Sequence, residues 1–363
     1  MEVYLVALMT SFAAAIAITP LVVRFAHKCH FVDHPDERKV HKEAMPRIGG
    51  LTFIFGMLAG LIFLTDVLVS EWRQVSAIAV GAALLVAVGL LDDRFVLRAR
   101  SKVIVQIAAA SIVAYSGVVI DFIAIPFGER VDLGFLSYMV TVLWFLAVMN
   151  SMNLIDGLDG LAAGIAIIAC LTMLVIAVGN PTAYGLVLAI GVTLIGSTGG
   201  FLVFNFHPAK LFMGDTGSLF LGYMIAVMSI LGFFKTVTMV SLVVPLLILG
   251  VPMIDTMFAI IRRTLNQQKI AAPDKGHLHH CLLARGYGHR KAVLLMYGVS
   301  ILFAMSALLL SKTGIWLSLF VLVVVATFIQ LFAEFIGLIG DKRQPLLTAI
   351  RKWVQERATL RSK

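Results

Sequence analysis

Five short stretches of this 363-residue chain hold side chains able to bind phosphate or a cation, or to move a proton. Asp92 and Asp93 are adjacent and followed by Arg94, Arg98, Arg100 and Lys102. Two neighbouring carboxylates do not both ionise easily without a cation, so the pair suits metal binding, a shared proton or a base held near phosphate. Salt bridges at a helix end are the plainer alternative. Asn150, Asn153, Asp156 and Asp159 then recur at every third position, with Gly157 and Gly160 between. On a helical or near-helical turn that spacing crowds polar oxygens onto one side, more than a cap or turn requires. In Gly214-Asp215-Thr216-Gly217-Ser218, the glycines free the backbone and Thr216 or Ser218 can cap the helix that follows. The amides at that helix start form an anion site beside Asp215. An all-oxygen set with one or two carboxylates and substrate phosphate suits Mg²⁺ better than Zn²⁺.

The fourth stretch, His277-Leu278-His279-His280-Cys281, raises zinc as an alternative. No second cluster completes such a site, and Arg262, Arg263, Lys269 and Lys275 repel a cation, which favours imidazoles donating to phosphate or sugar oxygens. In the fifth, Lys42 and Arg47 precede Gly49-Gly50 and can reach a phosphate. Asp215-Thr216-Gly217 is also the aspartic-protease triplet, but it occurs once, in an apolar chain, and a protease is set aside.

The elements that must carry these residues are membrane helices. The chain is 60% hydrophobic and 13% charged with mean hydropathy +0.98, far beyond a soluble domain. Eleven apolar runs long enough to span a bilayer core lie near 3–23, 49–68, 74–91, 103–119, 135–152, 160–178, 184–204, 217–234, 239–260, 292–311 and 316–339. The fold class expected is all-α, a polytopic helical bundle of about 11 spans. Of the 29 Lys and Arg, 25 fall on one set of loops and the tail, leaving Arg73, Arg130, Lys235 and Lys312 on the other side. The positive-inside rule then places the amino terminus outside and the tail in the cytoplasm. The net charge of +9 is a topology signal and an attraction to membrane lipids, not a sign of nucleic-acid binding. One membrane domain over residues 1–339 and a basic amphipathic tail over 340–363 is the expected organisation. Cys29, Cys170 and Cys281 are too scattered to form a disulfide framework.

The five stretches fall on the basic loops, so a transporter, which needs polar groups near the midplane, fits less well than a one-sided site. Asp255 and Glu334 are the exceptions, and Asp255 is close enough along its helix to Arg262 to reach that site.

Taken together, Asp92-Asp93, Asn153-Leu-Ile-Asp156-Gly-Leu-Asp159-Gly160, Phe212-Met-Gly-Asp215-Thr-Gly-Ser218 and His277-Leu-His279-His280 resemble, in order, the motifs of the polyprenyl-phosphate N-acetylhexosamine-1-phosphate transferases, the membrane superfamily containing MraY, WecA and TagO. The resemblance implies attack of a lipid phosphate on the β-phosphate of a UDP-sugar, release of UMP, and a Mg²⁺ requirement with Mn²⁺ as a substitute. It implies Asp215 as Mg²⁺ ligand with Asn153 as a second, and Asp92 or Asp93 deprotonating or orienting the lipid phosphate. Lys102 would neutralise pyrophosphate, His279 with His277 and His280 would hold the sugar phosphate, and Asp156 and Asp159 would line the nucleotide pocket. His277-Leu278-His279-His280 departs from the His-His-His of MraY-type members. Asn205-Phe-His-Pro-Ala and His279-His-Cys-Leu-Leu look most like the TagO group of Gram-positive bacteria. That implies UDP-GlcNAc and undecaprenyl phosphate as substrates, a multi-pass plasma-membrane enzyme with a cytoplasmic site, and initiation of teichoic acid or a related wall polymer. A phospho-MurNAc-pentapeptide transferase remains the alternative within the superfamily, and a homodimer is one assembly open to it.

Overall fold

A computed structural model describes residues 1–33, 44–124, 130–179, 184–232, 243–268, 276–337 and 348. Lys42 and the 340–363 tail, apart from Thr348, lie outside the described residues. Among the described residues the regular structure is helical apart from two short hairpins. One pairs β1 (Val32–Asp33) with β2 (Met45–Pro46), the other β3 (Phe122–Ala124) with β4 (Arg130–Asp132), both antiparallel.

Eight helical spans among the described residues are long and apolar enough to cross a membrane. They are α1 (Glu2–Lys28), α2 (Gly50–Leu61) continued through a 3₁₀ turn into α3 (Thr65–Ser70), α4 (Trp72–Phe95), α6 (Leu136–Ile155), α8 (Gly185–Asn205), α9 (Gly214–Gly232), α13 (His289–Leu310) and α14 (Ile315–Ile336). The other expected runs take shorter forms. Helix α5 (Ala99–Tyr115) has 17 residues and opens on Arg100 and Lys102, and the apolar α7 (Leu161–Ala177) also has 17. The ninth run is broken at Leu249 into α10 (Val243–Ile248) and α11 (Gly250–Leu265). Pro252 there sits in the first turn of α11, where a missing amide hydrogen costs little.

Helix α9 is the centre of the bundle. Every residue from Thr216 to Gly232 is buried, and α2, α4, α6, α7 and α8 pack around it. Its small residues let neighbouring backbones approach closely, as membrane helix packing requires. A Cβ on Gly222 would stand 2.7 Å from the Met149 Cα on α6, one on Gly89 of α4 would meet the backbone of Thr216, and one on Gly50 of α2 that of Gly217. Polar side chains add fixed crossings. Trp144 donates to the Ser229 hydroxyl at 2.8 Å and the Tyr223 hydroxyl to the Ile78 carbonyl at 2.9 Å.

One end of this bundle collects the carboxyl ends of α4 and α6 and the amino ends of α5, α9 and α13, together with the short helix α12 (Leu278–Ala284). The segment entering α2 is tied to the segment entering α9 by strand-like bonds. Phe212 donates to Pro46 at 2.7 Å, while Gly49 donates to Phe212 and Gly50 to Met213, each at 2.9 Å. Replacing Gly89 with Leu should abolish folded, monodisperse protein in detergent. Gly298→Leu, where nothing lies within 4 Å of an added Cβ, should leave the melting temperature unchanged. Size-exclusion and thermal melting of both variants check this.

Candidate active site

Asp92 and Asp93 occupy the last turn of α4, both more than nine-tenths buried, and their tasks divide. Asp93 caps α9 from across the bundle. Its Oδ1 accepts the Asp215 amide at 2.9 Å, and its Oδ2 accepts the Thr216 amide at 3.1 Å and the Thr216 hydroxyl at 2.7 Å. A carboxylate is well suited to those otherwise unpaired amides at the positive helix end. Gly214 makes the approach feasible. Its φ is +69°, and an added Cβ would strike the Arg47 carbonyl and the Asp93 carboxylate.

Asp92 is turned toward the reactive cluster instead. Its Oδ1 accepts the Leu97 amide at 2.8 Å, in the turn after α4 where Val96 is left-handed. Its Oδ2 lies 3.3 Å from the Lys102 ammonium, which also donates to Asp215 Oδ2 at 2.6 Å. One ammonium from α5 therefore joins carboxylates from α4 and α9. Asn153, in the last turn of α6, donates its Nδ2 to Asp215 Oδ1 at 3.1 Å and to the Ser218 hydroxyl at 2.8 Å. No hydrogen bond among the described residues engages its Oδ1, the atom a hard cation would take.

The fourfold Asn/Asp spacing does not form one face. Helix α6 ends at Ile155 and the chain turns away at Asp156. Asn150 is drawn to Gln106 of α5 at 2.8 Å, and only Asn153 reaches Asp215. Asp156 and Asp159 instead line a recess of about 560 Å³ with Asp33, Arg47, Asn153, Asn205, Asp215, His280 and His289. Asn205 fixes its wall, accepting the Gly160 amide at 3.0 Å and donating to the Leu211 carbonyl at 2.9 Å. Burial, then the charges of Asp215, Asp93 and Asp159, push Asp156 up from 3.8 to about 7, with Arg47 opposing them.

The three expected histidines stay side by side, His279 4.2 Å from His280 and 6.0 Å from His277 between ring centroids, but take different partners. His277 is buried and held by Asp255 of α11, its Nδ1 2.8 Å from Asp255 Oδ2, while Asp255 Oδ1 accepts the Leu278 amide at 2.6 Å. His279 lies flat beside His277 and against Gly157, where a Cβ would collide with its ring. Burial, then the charges of its histidine neighbours, push it down to about 4, so it is neutral at physiological pH. Of the three, His280 lines the recess. Lys42 lies outside the described residues.

Asn205, His207 and Ser218 stand within the quoted motifs but were given no substrate-site role, and His289 stands in none of them. His207 Nδ1 lies 2.7 Å from Asp159 Oδ2, and His289 Nε2 accepts the Asp159 amide at 2.9 Å. Asn205 and His207 had a signal, being polar residues on the turn into a motif, whereas His289 had none beyond its place before an apolar run.

The structure is thus a bundle of apolar helices whose buried acids, one lysine and amides converge beside a recess. Residues 75–233 match the glycosyl transferase family 4. The chain is 46% identical over 351 residues to a probable undecaprenyl-phosphate N-acetylglucosaminyl 1-phosphate transferase of Bacillus subtilis (strain 168), covering 96% of this chain and 97% of that one. It is 37% identical to the decaprenyl-phosphate N-acetylglucosaminephosphotransferase of Mycobacterium leprae (77% of this chain, 76% of that). It is 33% identical to the phospho-N-acetylmuramoyl-pentapeptide-transferase of Desulforudis audaxviator (84% and 97%). The chain belongs to this superfamily of membrane polyprenyl-phosphate sugar-1-phosphate transferases. Within it the chain is of the TagO type, as the higher identity to the N-acetylglucosaminyl enzyme shows.

Two outcomes follow from these contacts. Asp93→Ala removes the cap of α9 and strands buried donors, which should cost about 2–3 kcal/mol and lower the melting temperature by several degrees. Asp93→Asn, still able to accept through one oxygen, should lose less, as differential scanning fluorimetry in detergent would report. Asp156 holds its proton more tightly folded than unfolded, so its ionisation costs stability as the pH rises from about 4 to about 7. In chelator and without nucleotide, Asp156→Asn should melt higher than the parent above pH 7, and the gain should vanish toward pH 4.

Proposed function

We propose that this chain transfers GlcNAc-1-phosphate from UDP-GlcNAc to undecaprenyl phosphate on the cytoplasmic face of the plasma membrane, giving undecaprenyl-pyrophosphoryl-GlcNAc and UMP, and so begins a wall polymer such as teichoic acid. The observation that carries this reading is the junction of Asp92, Lys102, Asn153 and Asp215, drawn from four helices and opening on the recess. Sidedness rests on the 25 of 29 basic residues assigned to the loops and tail at that end. The reading of eleven spans would add α5, α7 and the broken α10–α11 pair to the eight apolar spans.

The donor set fits Mg²⁺. It consists of carboxylate and amide oxygens, and one ammonium leaves Asp92 and Asp215 with a surplus negative charge when both are ionised. Asp215 and the Asn153 Oδ1 would hold the ion, which when bound would neutralise the donor pyrophosphate. Asp92, fixed by the Leu97 amide, is placed to take a proton from the lipid phosphate and to orient it. An oxygen of that dianion attacks the β-phosphorus, the bond to the α–β bridging oxygen breaks, and that oxygen leaves with UMP. Lys102 follows the charge from the carboxylates onto the pyrophosphate. The lipid phosphate is already an anionic nucleophile, so alignment serves and a covalent aspartyl intermediate is unnecessary. His280 and Arg47 line the recess where the donor would lie, while His277 and His279 back its wall.

Purified full-length protein, given radiolabelled UDP-GlcNAc, undecaprenyl phosphate and Mg²⁺, should yield lipid-linked label and one UMP per turnover. Asp215→Ala and Asp92→Asn should each lower kcat by about 10²-fold or more, the scale of losing a positioned charge. UDP-MurNAc-pentapeptide should give no product. Undiminished turnover in Asp215→Ala would remove the mechanism, and product from the pentapeptide donor would move the chain to the other branch.

A further inference from the structure

Asp159 is gripped more completely than a pocket-lining carboxylate needs to be. Its Oδ2 lies 2.7 Å from His207 Nδ1 and accepts the Ala209 amide at 3.2 Å. Its own amide donates to His289 Nε2 at 2.9 Å, a nitrogen that also lies 3.9 Å from Oδ2. The two imidazoles stack, centroids 4.3 Å apart and planes 16° from parallel. Arg290 fixes the His207 backbone from behind, donating to its carbonyl at 3.0 and 3.3 Å. Three separate pieces of chain, the turns before α7 and α9 and the first turn of α13, thus meet at one side chain.

An Asp with two His, their donor atoms within 4.8 Å of one another, has the composition of a transition-metal site. The geometry argues otherwise. Imidazole lone pairs lie in the ring plane, so two nearly parallel stacked rings do not aim both at one ion. The His289 Nε2 lone pair is also already engaged by an amide hydrogen, which fixes that ring as the Nδ1–H tautomer. His207 Nδ1, facing a carboxylate, carries a proton and donates.

We propose that His207 and His289 are positioning residues for Asp159: His289 holds its backbone amide, and His207 with the Ala209 amide occupies Oδ2, so that Oδ1 is presented to the nucleoside of the sugar donor. Oδ1 has no hydrogen bond among the described residues, and Asp159 lines the recess beside Asn205 and Asp156. A fixed acceptor there matches the N–H or O–H donors of a uracil or ribose, and it discriminates through the cost of leaving a donor unpaired. The pair acts on donor-nucleotide recognition and leaves the phosphorus chemistry at Asp215 alone. This inference rests on the proposed transfer reaction.

The test uses the detergent-solubilised full chain, with UMP binding by calorimetry and steady-state kinetics in both substrates. His207→Phe keeps the ring stack and removes the N–H. It should weaken UMP binding and raise KM for UDP-GlcNAc by about tenfold, the scale of one charge-assisted hydrogen bond. The kcat and the KM for undecaprenyl phosphate should stay within about twofold. His207→Asn, which puts an amide N–H near the Nδ1 position, should recover most of the loss. In an Asp159→Asn background His207→Phe should add nothing, since it acts through that carboxylate.

Unchanged UMP binding in His207→Phe overturns the inference. So does a fall in kcat with a rise in both KM values that His207→Asn fails to rescue, which marks a merely structural role. Tight Zn²⁺ binding to the parent that is lost in His207→Phe overturns it in favour of a metal site. A parent chain that neither binds UMP nor turns over UDP-GlcNAc overturns the transfer reading and this inference together. A parent that does both, with a His207→Phe variant equal to it, overturns the inference alone.

Discussion

Charge buried at the edge of a membrane survives only in company. Lys102 stands between Asp92 and Asp215, and much of this end of the bundle answers to that arrangement. The ammonium comes from α5, the carboxylates from α4 and α9, and α6 adds Asn153 to the same carboxylate. None of these helices can rotate or slide without exposing a desolvated ion to an apolar neighbour, a penalty of several kcal/mol. The same constraint explains the shape of α9, which is buried along nearly its whole length and carries small residues where its neighbours cross. A helix that must deliver one acid to a fixed spot is held most firmly when it is packed on every side.

Asp93 illustrates how two adjacent acids acquire different work. Successive residues on a helix point about 100° apart. From the end of α4 that angle sends Asp92 toward Lys102 and Asp93 toward the amino end of α9. The cap and the reactive cluster are thereby one rigid unit, because the helix that Asp93 terminates is the one that carries Asp215.

The sequence made the membrane class readable through hydropathy, and the junction readable through Asp92, Asn153 and Asp215, because acids and amides are rare in such a chain and each stands beside a glycine or a helix end. Other features were hidden for physical reasons. The threefold spacing of Asn150, Asn153, Asp156 and Asp159 suggests one face only if the helix continues, and α6 stops at Ile155. Three neighbouring histidines read as one cluster, yet Asp255 takes His277, Gly157 takes His279, and His280 alone of the three reaches the recess. The grip of His207 and His289 on Asp159 joins residues far apart in the chain, and no local pattern announces a contact of that kind. Helix limits shifted where charged residues or proline intrude, as at the start of α5 and the break at Leu249.

The partnership of α4 with α9 also sets an order of events in biogenesis. Asp93 precedes its hydrogen-bond partner Asp215 by 122 residues, and Lys102 precedes the same acid by 113. During synthesis Asp92 can meet Lys102 as soon as α5 follows, whereas Asp93 waits at the water boundary through four further helices before its partners on α9 arrive. A chain halted before α9 would present a membrane protein of ordinary appearance with an unfinished, hydrated acidic end. Quality-control machinery that senses unpaired polar groups at the bilayer edge has there a physical mark that distinguishes the incomplete chain from the finished one.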